Sequence, residues 1–137
     1  MRPYATGLPL VIDTSAWVRQ REPAVLPRWQ ATVEAGLLVA CPVSTLEILT
    51  STRDEQEYAL VAGELFRLRQ APVTTSACAA ALQAARELRG SRRLPAADYL
   101  LAAAAAERGF GVLHEDAHFD TLAQVLGFQS VRLSDAD

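Results

Sequence analysis

The run from Pro95 to Gly109 sets the tightest limit on what this chain can become. Pro95 suits the start of a helix, Leu and Ala are strong helix formers, and Gly109 suits an end. The segment therefore predicts a helix from Ala96 to about Arg108. From Tyr99 to Ala106 it is apolar all round, with no face that water would solvate. It is also far shorter than the ~20 residues that cross a bilayer. Such a helix must be buried inside the protein, and its alanines permit close approach to a flat partner. A sheet is that partner.

The strands of the sheet are visible as short apolar runs: Leu10-Val11-Ile12, Leu37 to Ala40, Gly111-Val112-Leu113 and Gln129 to Leu133. Helical segments separate them. The first, capped by Thr14 or Ser15, carries Trp17 and Val18 until Pro23. The second spans Val25 to Glu34 before Gly36, and another opens at Ser44 or Thr45. Asp54 to Arg69 places Tyr58, Val61, Leu65 and Leu68 on one face, and Cys78, Ala81, Leu82, Ala85 and Leu88 repeat that spacing. Val73 to Thr75 reads as a connection or an edge strand, and Phe119 to Leu126 as the last helix. Strands alternating with helices imply an α/β fold of three layers, a short parallel sheet flanked by helices, in a single domain over residues 1–137.

Half of the 137 residues are apolar and 21% are charged, which excludes a disordered tail or a disulfide scaffold. The net charge of −3 argues against non-specific nucleic-acid binding through overall positive charge. The chain has no lysine, so phosphate binding by a P-loop and Schiff-base catalysis are also excluded. Cys41 and Cys78 lack metal-site spacing and are expected as buried free thiols in a reducing compartment. The apolar run before Asp13 is too short for a signal peptide. The expected location is the cytoplasm, with no membrane contact.

Sites in open parallel sheets form at the carboxyl ends of the strands. Asp13 follows the first strand, Glu47 lies in the helix after the second, and Asp116 and Asp120 follow the third. Asp98 occupies the first turn of the apolar helix, where it either complements the helix dipole or serves a site. Two carboxylates ~4 Å apart repel by ~4 kcal/mol at an effective dielectric of 20. Several such pairs rival the ~5–15 kcal/mol stability of a whole domain. Either some protonate or a divalent cation neutralises them. Hard oxygen donors suit Mg²⁺ or Mn²⁺, and such an ion can activate water for displacement at phosphorus.

Four segments carry a resemblance: Val11 to Ala16, Leu46 to Leu49, Pro95 to Ala105, and Val112 to Asp120. In this order they resemble the motifs of PIN-domain ribonucleases, and more narrowly the VapC toxins of bacterial toxin–antitoxin modules. The resemblance covers nearly the whole chain. It implies a Mg²⁺-dependent endoribonuclease, with Mn²⁺ as substitute, acting on tRNA or rRNA. A cognate VapB-type antitoxin would restrain it, and a homodimer would form a larger assembly with that antitoxin. By motif, Asp13, Glu47, Asp98 and Asp116 are the catalytic, metal-binding acids. Thr14 or Ser15 would orient the first carboxylate. Where relatives carry a further acid, this chain has His118, so one ion is expected, with Asp120 the candidate to compensate.

His114-Glu115-Asp116-Ala117-His118 also fits the HExxH pattern of zinc peptidases. That reading needs both histidines on one helix face, whereas Val112-Leu113 predicts a strand running into His114. A third alternative is an inactive α/β interaction module whose acids are caps and surface charge. Among the arginines, Arg92 and Arg93 precede the helix of Asp98 and are candidate contacts for RNA phosphates; the alternative is a solvated helix face. The Tyr58 face is either core or part of a partner groove, and Trp17 and Trp29 are expected as packing anchors.

Overall fold

The computed structural model describes residues 1–4 and 7–135. Its strands are β1 (Leu10–Ile12), β2 (Leu38–Ala40), β3 (Arg69–Gln70), β4 (Gly111–His114) and β5 (Ser130–Arg132). All neighbouring strands run parallel, in the order β3-β2-β1-β4-β5. The helices are α1 (Thr14–Trp17), α2 (Leu26–Glu34), α3 (Pro42–Thr50), α4 (Glu55–Arg67), α5 (Thr75–Leu88), α6 (Ala96–Glu107) and α7 (His118–Leu126). This is the three-layer α/β arrangement expected.

The pleat sends successive side chains to opposite faces. Val11, Val39 and Val112 pack with α5, α6 and α7, where Leu101 to Ala105 are buried. Leu10, Ile12, Leu38 and Leu113 face the other way, with Trp29 of α2 and Ala16 of α1. Ala40 continues that second face against Ile48, Leu49, Ala62 and Leu65 of α3 and α4. Trp17 meets Trp29 edge-on, with ring centroids 6.1 Å apart, joining α1 to α2. No helix among the described residues is long and apolar enough to cross a membrane.

Several local expectations change. Asp13, rather than Thr14 or Ser15, caps α1, accepting from the Ser15 backbone. Pro42 opens α3, two or three residues ahead of the expected start, because its missing N–H costs nothing there. Ser44 is instead buried and donates to the Ile12 carbonyl at 2.8 Å, tying α3 to the end of β1. Of the two readings of Val73 to Thr75 the connection holds, with Thr74 the cap of α5, and the strand at this edge is Arg69–Gln70. In α5 the alanines Ala77, Ala81 and Ala84 face inward, leaving Leu82 exposed and Cys78 only half-buried. In α4, Ala62 and Leu65 are the buried pair and Tyr58 is exposed. In α5 small residues let the helix approach its neighbours more closely than Leu82 would. Along α4, Leu65, Val61 and Leu68 keep the expected face and only Tyr58 leaves it.

Gly111 sits where β4 is clasped between β1 and the segment entering β5. A Cβ there would lie 2.8 Å from Leu10 Cδ2 and 2.9 Å from the Gln129 carbonyl oxygen. Gly111→Ala should therefore destabilise the fold by ~1–3 kcal/mol through overpacking, measured by urea denaturation.

Candidate metal centre

β1 and β4 are paired with Ile12 beside Leu113, so the residues that leave them emerge side by side. Asp13 follows β1 directly; it is 7% exposed, and its backbone N–H donates to the Leu113 carbonyl at 3.0 Å. Ser15 fixes its carboxylate, with Oγ donating to Asp13 Oδ2 at 2.6 Å and the backbone N–H donating to the same oxygen at 3.0 Å. The same Ser15 hydroxyl accepts from the Glu115 backbone at 2.9 Å, which binds the β1 exit to the β4 exit.

Asp98 enters from α6. The helix lies on the sheet through its alanines, and its first turn brings Asp98 to the acids that follow β1 and β4. The side chain is 15% exposed. Burial pushes its carboxyl up from 3.8 to about 6, and the charges of Asp13 and Asp116 push the same way, while the hydrogen bond from His118 opposes them. Asp116, 38% exposed, follows β4, and its Oδ1 accepts from the His118 backbone at 3.0 Å. His118 Nδ1 lies 2.9 Å from Asp98 Oδ2 and 3.3 Å from Asp116 Oδ1. Asp98, Asp116 and His118 offer ligand atoms all within 4.8 Å of one another.

Glu47 stands apart from this knot. It is exposed on α3 and is reached through Thr14, whose Oγ1 donates to Glu47 Oε1 at 2.9 Å. Arg92 and Arg93 are exposed in the segment before α6, with Arg92 Nη1 donating to Thr121 at 3.1 Å.

Asp120 does not compensate for the acid that His118 replaces. It accepts from Ser130 and Arg132, each at 2.7 Å, on the β5 side. Ser130 also meets His114 Nε2 at 2.6 Å, while His114 Nδ1 accepts from the Asp116 backbone at 3.1 Å. These partners assign the proton to Nε2. His114 is fully buried, and that burial pushes its pKa down, so the ring stays neutral. Glu115 accepts from Ser134. The zinc-peptidase pattern consequently fails. His114 ends β4, α7 begins only at His118, and both nitrogens of His114 are engaged. The network of His114, Ser130, Asp120 and Arg132 had no signal in the sequence, because it depends on β5 lying beside β4.

The donor set around Asp98 consists of carboxylates and one imidazole, gathered where like charges oppose ionisation. Such a set fits a divalent cation, whose charge would offset the repulsion.

A short parallel sheet with acids gathered at its carboxyl edge defines the class: residues 10–125 match the family model for the PIN domain. Two ribonucleases of Mycobacterium tuberculosis are similar over most of their length. VapC18 is 36% identical over 121 residues, covering 85% of this chain and 88% of the relative. VapC51 is 38% identical over 126 residues, covering 88% and 90%. The DNA-bound VapBC of Salmonella typhimurium shares the fold, with a TM-score of 0.76 at 19% identity over 92% of this chain and 98% of that one. The chain belongs to the VapC ribonucleases of the PIN-domain family.

Asp98 also gives the fold a pH signature. Its folded pKa lies above the unfolded value, so between about pH 4 and 6 the native state holds more protons than the unfolded chain. Stability falls as pH rises through that window; below it the penalty is absent. With divalent ions chelated, Asp98→Asn should stabilise the protein above pH 6 and give no gain near pH 4, as read by urea denaturation at the two pH values.

Proposed function

We propose that this protein is a divalent-metal-dependent endoribonuclease, the toxin of a VapBC-type module acting in the cytoplasm. The observation that carries this reading is the gathering of Asp98, Asp116 and His118, with the charge of Asp13 acting on Asp98, in a chain 36–38% identical to named VapC ribonucleases. Asp13, Asp98 and Asp116 would hold Mg²⁺, with Mn²⁺ able to replace it, and Glu47 would complete the set from α3 by way of Thr14. When bound, such an ion supplies charge to offset that developing on the phosphodiester and acidity to the attacking water.

The chain's own residues do the positioning. Ser15 holds the Asp13 carboxylate in one rotamer through two donors, so its free oxygen stays directed without further ordering. His118 steadies Asp98 and Asp116 by standing between them. Arg92 and Arg93, exposed in the segment that leads into α6, would offer positive charge to RNA phosphates that the acids repel. The substrate class is tRNA or rRNA, structured RNA that a protein recognises by shape around single-stranded positions. A cognate VapB-type antitoxin is the restraining partner, and the toxin acts as a homodimer that builds a larger assembly with it.

Two measurements test this. Asp13→Asn and Asp98→Asn should each lower RNA cleavage by on the order of 100-fold or more, and should abolish growth arrest on expression, while circular dichroism stays native. Cleavage that persists in both variants would remove the acids as its source. Replacing Arg92 and Arg93 together by Ala should weaken RNA binding and flatten its salt dependence by about one unit for each phosphate no longer neutralised. An unaltered slope would place the RNA elsewhere.

A further inference from the structure

We propose that His118 is itself a ligand, through Nδ1, of the ion held by Asp98 and Asp116, making the centre a mixed nitrogen–oxygen site that favours Mn²⁺ over Mg²⁺. This rests on the reading that the acids bind a divalent cation, and it concerns which cation and by which atoms.

The geometry points this way first. Adjacent donors around a six-coordinate ion with ~2.1 Å bonds stand ~3 Å apart. His118 Nδ1 lies 2.9 Å from Asp98 Oδ2 and 3.3 Å from Asp116 Oδ1, and all three donors fall within 4.8 Å of one another. A ring placed merely to neutralise one acid would need to approach only one. Its position is also fixed from two directions. The His118 backbone N–H donates to Asp116 Oδ1 at 3.0 Å, and residue 118 opens α7, whose next side chain, Phe119, is fully buried. The imidazole is thus held at the two carboxylates by the backbone that carries it, with little freedom left to lose when an ion arrives.

The chemistry follows from the donor atom. Imidazole is a ligand for first-row transition ions, Mn²⁺ the weakest-binding among them, whereas Mg²⁺ takes oxygen donors and gives up its waters reluctantly. Two carboxylates and one imidazole therefore favour the transition ion. The ion takes the place of the Nδ1 proton that His118 gives to Asp98; that proton leaves to solvent, and the bound ring keeps its proton on Nε2. His114 offers no competing nitrogen, since the Asp116 backbone occupies its Nδ1 and Ser130 its Nε2.

The test uses the full chain, stripped of metal with EDTA and titrated calorimetrically with Mn²⁺ and with Mg²⁺, together with pulsed electron paramagnetic resonance of bound Mn²⁺. Wild-type protein should show a ¹⁴N coupling to Mn²⁺. His118→Ala should lose it and bind Mn²⁺ about tenfold more weakly, with Mg²⁺ affinity altered by less than about threefold. His118→Asp should keep a site for both ions but without the nitrogen coupling and with a smaller preference for Mn²⁺. Bound Mn²⁺ without a nitrogen coupling in the wild-type protein would overturn the proposal. So would equal weakening, or any strengthening, of both ions in His118→Ala, because the ring would then act only on the acids. If neither ion binds the wild-type protein and Asp98→Asn changes nothing, the broader reading of the acids fails as well.

Discussion

The burial of Asp98, together with the repulsion that Asp13 and Asp116 exert on it, is the unfavourable interaction around which the rest of the molecule is arranged. Left to itself it would spread the carboxylates apart, because each gains by turning toward water. The fold prevents that with apolar packing some distance away. The alanine face of α6 lies flush on Val11 and Val112, and this contact sets where its first turn must end. Asp98 is consequently held near the acids that follow β1 and β4, at the cost of a carboxyl pushed up to about 6. Burial energy spread over the helix keeps in place a charge arrangement that is unfavourable on its own.

Around that centre, neutral hydrogen bonds fix orientation without adding charge. Ser15 joins Asp13 to the Glu115 backbone, and Ser44 ties α3 to the last carbonyl of β1. Behind Asp116, His114 accepts from its backbone and passes a hydrogen bond to Ser130, which donates in turn to Asp120. Arg132 closes the series. A buried, neutral imidazole is well suited to this place, since a charged one would disturb Asp116 two residues on. The network also explains how a chain of net charge −3 assigns its acids: Asp120 and Glu115 are engaged with β5 and its neighbour Ser134, while Asp13 and Asp116 act on Asp98.

Much of this was legible in the sequence. The strands were visible as short apolar runs, and the acids at their ends followed from the rule that sites form at carboxyl edges. The buried character of α6 followed from its composition. Where the reading slipped, it slipped by local detail. A regular spacing of large apolar residues suggested an inward face for Leu82, yet Ala77, Ala81 and Ala84 are the buried residues of α5. Along α4 the expected face holds at Val61, Leu65 and Leu68 and leaves only Tyr58 exposed.

The amino-acid order alone determined the alternation of elements, the burial of the Leu/Ala helix, the positions of the acids along the chain and the absence of lysine chemistry, because each depends on neighbours within a few turns or on composition. Tertiary structure alone decided how those acids were divided. It set His118 between Asp98 and Asp116, left Glu47 exposed at the margin, and turned His114 and Asp120 toward Ser130. These pairings join residues on different strands and helices, and they arise from strand order and helix docking. Periodicity within one segment carries no record of which segment will lie beside it.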